Sequence, residues 1–174
     1  MTLVELMVVV AIIAVLAGMT IPRAWSGAGR TRLRASCQRL ALAARLAREL
    51  AVTRRQQVRL AVDPDEGRYS IMAPTGEDGQ YEPITTDPGR GEPLDGGTRF
   101  EQVLIEPCAA PLDGGEEGAM MVRFLPTGEA DAAILQVGDG LHTYSVLVQP
   151  ARGAVSVMTE PVDQMPSDRV DLDE

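Results

Sequence analysis

The sequence predicts an α+β domain: one long N-terminal α-helix, apolar in its first half and amphipathic in its second, packed on a mainly antiparallel β-sheet. Three observations predict it. Residues 6–22 carry no charged side chain. Leu33, Cys37, Leu40, Ala44, Ala47 and Ala51 then recur at alternating steps of four and three, which is one face of a helix. From residue 57 the apolar period changes to two, in short runs of which the last ends at residue 158.

The run LMVVVAIIAVLAGMTIP, Leu6 to Pro22, opens the chain. Counted from Met1, a 22-residue helix rises about 33 Å, close to the hydrocarbon thickness of a bilayer. Residues 1–22 therefore read as a membrane-spanning helix. A cleavable signal peptide would need a basic start, which is absent. Glu5 is the one charge near this span, and a carboxylate at the edge of hydrocarbon is read either as a functional group awaiting a partner or as a wet headgroup-layer residue. Pro22 removes a backbone donor and predicts a kink or local melting, and Ser26, Gly27 and Gly29 mark a weak point just after it.

Residues 23–56 form the amphipathic half. Arg34, Arg39, Arg45, Arg48 and Arg55 occupy its other positions, and they read as a solvated face. Its alanine-rich stripe lets a sheet approach closely. Residues 57–160 are the β-rich part, with strands expected at 57–62, 68–73, 100–105, 121–125, 133–137, 143–148 and 153–158. DPDEG at 63–67 is a hairpin turn. The Pro- and Gly-rich stretch 74–98 reads as a long surface excursion, and the acidic tail 161–174 as disordered.

Composition narrows function. At 174 residues there is room for one domain and an appendage. All 16 basic residues are arginine, against 25 acids, for a net charge of −9. Residues 1–62 hold ten arginines against Glu5 and Glu49, a balance of +8, and residues 63–174 hold six against 23 acids, a balance of −17. With aromatics at 3%, neither nucleic acid nor a sugar platform is an expected partner. One histidine and two cysteines exclude a zinc site. His142 with Ser145 lies on one strand edge without a nucleophile elbow, so His142 reads as a surface residue. Asp63, Asp65 and Glu66, like Asp168, Asp171 and Asp173, lack EF-hand spacing. No P-loop is present, and the sequence supports no enzyme, metal, cofactor or small-molecule substrate.

The run TLVELMVVVAIIAVLAGMTIP, with Glu5 at the fifth position and Pro22 at its end, closely resembles the mature N-terminus of type IV pilins and type II secretion pseudopilins. LALAARLARELAVTRRQQVRLAV, the later VRFLPTGEA and the closing RGAVSVM are similar to the H-type, GspH/FimT-like, minor pseudopilins and minor pilins. The resemblance covers residues 1–62 and about 120–158; the stretch 74–118 matches no family pattern. It differs from the family in beginning with Met1 where phenylalanine is usual, and it lacks the calcium-binding C-terminal pattern of major pseudopilins.

The resemblance implies that a basic leader precedes Met1 and is removed, that the amine of Met1 is N-methylated, and that the apolar helix stays on the mature chain. It implies a minor pseudopilin at or near the tip of the periplasmic pseudopilus of a type II secretion system. Its partners would be other pseudopilin or pilin subunits, and it would sit in the bacterial inner membrane with its β domain in the periplasm. Glu5 would meet the amine of Met1, its own or a neighbour's, on entry into the filament. A type IV pilus minor pilin, some of which take up DNA, is the near alternative, and a solitary membrane-anchored domain a further one. The positive-inside rule, applied to Arg23, Arg30, Arg32 and Arg34, points the domain the other way; a basic leader would reverse that balance. In an oxidising compartment Cys37 and Cys108 are able to pair, and two free buried thiols are the equal alternative.

Overall fold

The structure is a computed structural model that describes residues 3–75, 80–108 and 120–165, without the side chains of 14–28. Helix α1 runs from Leu3 to Arg54 as one element of 52 residues. It continues through Pro22 and the Ser26–Gly29 weak point, so neither melts it. A proline removes one donor from the ladder, and the long apolar and alanine-rich stretches on both sides carry the helix across. The helix stops where Arg55 takes a left-handed φ of 53° and Gln56 N–H donates to the Ala51 carbonyl at 3.2 Å.

Among the described residues nine strands follow: β1 (Val58–Asp63), β2 (Arg68–Thr75), β3 (Gln80–Pro83), β4 (Glu92–Pro93), β5 (Arg99–Glu106), β6 (Met120–Phe124), β7 (Ala132–Gly138), β8 (Thr143–Val148) and β9 (Val155–Met158). All seven expected strands are present, each within two residues of the expected ends. Instead of one sheet there are two, ordered β3-β2-β1-β6, with β4 also on β2, and β5-β7-β8-β9. Every pairing is antiparallel. The 63–67 turn joins β1 to β2 as expected, closed by Asp63 Oδ1, which accepts from the N–H groups of Asp65 and Glu66.

The stretch 74–98 is less of an excursion than its composition suggests. β3 and β4 lie within it, the Ile71 N–H donates to Gly89 O, and the Ile84 N–H donates to Ile71 O. Leu94 reaches the core from it.

The core lies between α1 and the two sheets. Leu33, Cys37, Leu40, Ala44, Ala47 and Ala51, the expected stripe, are all fully buried, and Ala41 and Ala43 widen it. Opposite them sit Val58, Leu60, Ile71, Val122 and Phe124 of the first sheet and Leu135, Val137, Val146 and Val148 of the second. Five of these eight helix side chains are alanine (Ala41, Ala43, Ala44, Ala47, Ala51), short enough to bring the helix axis close to both sheets.

β7 is buried along its whole length, on both faces. Residues 159–163 cross the face turned away from the helix. Ser145 Oγ donates to Glu160 O and accepts from Val162 N–H, and Gln136 Nε2 donates to Val162 O at 3.1 Å. The tail expected to be disordered from 161 is thus held as far as 163, because two buried polar side chains of the second sheet find their partners in it. Residues 166–174, with Asp168, Asp171 and Asp173, lie outside the described residues.

Candidate functional site

The start of α1 is dominated by apolar side chains that no described part of the chain covers. Leu3, Val4, Leu6, Met7, Val8, Val9, Val10, Ile12 and Ile13 are 47–77% exposed, on all sides of the helix. Glu5 is exposed among them. Met1 and the side chain of Pro22 lie outside the described residues. Among the described residues no helix is long and apolar enough to cross a membrane; the described side chains of the apolar run end at Ile13.

The second half of α1 is tied down by the arginines expected to be solvated. Arg45 Nη2 donates to Val155 O on β9 at 2.9 Å, and Arg48 Nε donates to Arg152 O in the β8–β9 turn at 2.6 Å. Arg39 forms an ion pair with Asp95, whose N–H also donates to the buried Ser36 Oγ at 3.0 Å. The Arg39 hydrogen bond, outweighing partial burial, holds the Asp95 carboxyl below the usual carboxylate range. Arg30 Nε reaches the Tyr144 hydroxyl at 3.4 Å. Arg39 and Arg45 are exposed on that face, as expected, and Arg48 is half-buried; each also bonds within the domain, because the turns at the edge of the second sheet and before β5 offer backbone carbonyls and a carboxylate within reach of these long side chains. Arg34 and Arg55 stay exposed.

Asp131, which no sequence motif singled out, joins three strands. It sits just before β7 with its side chain 2% exposed, and Arg123 of β6 lies against it at 13%. Its Oδ2 accepts from Arg123 N–H and Nε, both at 2.9 Å, and its Oδ1 accepts from Arg123 Nη2 at 2.9 Å and from Cys108 N–H, after β5, at 3.0 Å. Burial pushes this carboxyl up, but the Arg123 side chain and the two backbone donors outweigh it and hold it below its ordinary value. The available signal was an aspartate between the PTGE turn and an apolar run, with an arginine inside the strand before that turn.

The cysteines are not brought together. Both are free, Cys37 buried on the inward face of α1 and Cys108 exposed beyond β5, so the entertained bridge is not made. Two buried thiols is corrected as well, since only Cys37 is enclosed; burial pushes its thiol up to about 12. His142 is exposed in the β7–β8 turn, whereas Ser145 is buried against residues 160–162, so the two do not share a site. Among the described residues no group of three or more His, Cys, Asp or Glu is placed to hold a metal.

The geometry is that of an uncovered apolar helix end on a domain locked to the other half of the helix. Known proteins share the domain's fold. The family model described as type II transport protein GspH matches residues 36–154. A crystal structure of the minor pseudopilin EpsH from the type II secretion system of Vibrio cholerae superposes with a TM-score of 0.59 at 18% identity, over 77% of this chain and 98% of that one. A second EpsH structure gives 0.55 at 18%, over 74% and 97%. The type IV minor pilin FimU of Pseudomonas aeruginosa gives 0.50 at 13%, over 79% and 94%. A search of curated protein sequences finds no match. At these identities the structures speak for the fold, a helix on antiparallel sheets. The family model goes further, because its match takes in α1 from Ser36 and every described strand but β9, and spans well over half of the 174 residues. The chain belongs to the GspH family of type II transport proteins.

Proposed function

We propose that this chain works as a minor pseudopilin, a non-enzymatic subunit at or near the tip of the periplasmic filament that supports protein export in type II secretion. The observation that carries the reading is the continuity of α1: the helix that closes the core of the GspH-type domain extends, without a break, into an end whose apolar side chains are exposed all round. Such a surface needs a non-aqueous surrounding. The bilayer supplies it before assembly, with residues 1–22 anchoring the chain in the inner membrane and the β domain in the periplasm, and the packed helices of neighbouring subunits supply it afterwards.

Within that packed core a carboxylate requires a cationic partner. Glu5 meets the N-terminal amine at Met1, its own or a neighbour's, and Pro22 marks where the helix leaves the hydrocarbon. The test is Glu5→Ala, expressed beside the partner pseudopilins. Normal protein levels with reduced co-purification and secretion are expected; unchanged incorporation and secretion would show that Glu5 is a wet headgroup-layer residue. The likeness to the FimU fold favours a second reading, a minor pilin of a type IV pilus. Co-purification with pilus subunits instead of secretion pseudopilins would select it.

A further inference from the structure

The β7–β8 turn, residues 139–142, stands at the end of the domain where the apolar half of α1 begins. A Cβ added at Gly29 of the helix would lie 3.3 Å from Asp139 Oδ2, and Arg30, the next residue, reaches Tyr144 at the start of β8. The turn is closed and well defined. Asp139 Oδ1 accepts from Leu141 N–H at 2.9 Å and His142 N–H at 2.8 Å, and Asp139 N–H donates to His142 O at 3.1 Å. Its tip carries Leu141, which at 83% is more exposed than any other large apolar side chain described, those of the free helix end included.

The level of this turn along α1 can be read from the sequence. Trp25, the single tryptophan, lies three residues past Pro22, in the position of an interfacial aromatic anchor. From Trp25 to Gly29 the helix rises about 6 Å, roughly the depth of one headgroup layer. Exposed arginines flank the turn: Arg30 on the helix, and Arg99 directly opposite Gly138 in the β5–β7 pairing. Two carboxylates also lie at this end and keep their charge, Asp139 bonded within the turn and Glu101 to the Thr143 hydroxyl at 2.6 Å.

We propose that the β7–β8 turn is a peripheral membrane contact: Leu141 enters the headgroup layer of the bilayer that holds α1, and Arg30 and Arg99 face its anionic lipids. The contact sets the domain's orientation on the membrane before the subunit enters a filament. It rests on the anchoring of α1 proposed above.

The test uses the 174-residue chain reconstituted at low density into vesicles of phosphatidylethanolamine and phosphatidylglycerol. An environment-sensitive fluorophore is attached at Leu141→Cys or, as a control at the far end of β5, at Glu106→Cys, each in a Cys108→Ser background. With spin label near the lipid headgroup, the probe at 141 loses most of its emission and the probe at 106 keeps it. Equal emission at both positions, in chains that float with the vesicles, overturns the contact and leaves the anchor standing. A probe at 141 that is shielded from aqueous iodide but untouched by the lipid quencher assigns the turn to another protein surface and also overturns it. Chains that fail to float overturn the anchor, and the contact with it.

Discussion

Replacing Asp131 with alanine should cost about 3–5 kcal/mol, the usual loss when one member of a buried ion pair is removed. The estimate follows from the geometry. The carboxylate is 2% exposed and accepts four hydrogen bonds, three of them from Arg123, whose guanidinium has only 13% of its surface in water. Its removal leaves that cation without its carboxylate partner in low dielectric, and it frees the Cys108 N–H at the end of β5. In thermal unfolding of the whole chain in detergent, followed by circular dichroism, the loss corresponds to a fall in Tm of about 6–15 °C. The pH dependence has a definite sign. The folded-state pKa of Asp131 is depressed, so its contribution is complete above the unfolded carboxylate value of about 4 and is lost as pH falls through the lower folded value. Asp131→Asn should therefore flatten the acid limb of the stability profile. Arg123→Met combined with Asp131→Leu should recover part of the loss, because an apolar pair carries no desolvation penalty, while the Cys108 and Arg123 N–H groups still lack the acceptor that Asp131 supplied. A loss below about 1 kcal/mol in the alanine variant would refute the reasoning, placing the pair among weak surface bridges. A double variant as unstable as the single one would refute it too.

Gly153→Ala should destabilise by about 1–3 kcal/mol in urea unfolding. The residue has a φ of 54°, and a Cβ there would come within 2.7 Å of the Gly128 carbonyl oxygen. In native protein a thiol reagent should modify Cys108 quickly and Cys37 only on unfolding, with both thiols reactive in denatured, unreduced chains; a mass showing neither modified would establish a disulfide. Truncation before Glu160 should lower stability by about 1–3 kcal/mol, because Ser145 and Gln136 lose their partners, and should raise binding of an apolar dye as Ile134 and Leu147 are uncovered. No change in either would mean that residues 160–163 do not cover that face.

Local pattern explains most of the fold. The Leu33–Ala51 stripe was legible because burial on one side of a helix forces a spacing of three and four, and β1 and β2 because burial on one side of a sheet forces alternation, as seen in β1. β3 and β4 were not legible. QYEP and EP are short, carry proline and sit among glycines, and only their pairing with β2 makes them strands. The division into two sheets was also hidden, since alternation says which residues face the core and nothing about which strand lies beside which. The same holds for residues 159–163: Ser145 and Gln136 mark the face that needs a cover, while the segment that covers it, TEPVD, has no periodicity of its own.

The arginines of residues 23–56 read as a face turned to solvent, and Arg39 and Arg45 are exposed there, but with Arg48 they also bond Asp95, Val155 and Arg152 of the same chain. Hydrogen bonds from a guanidinium to a carbonyl are directional and charge-assisted, so with the alanine stripe they fix the helix against both sheets instead of letting it slide. This gives the arginines a mechanical role. α1 is one element from Leu3 to Arg54, and its second half is part of the rigid core. A contact made on the free apolar end is therefore carried through the helix to the whole domain.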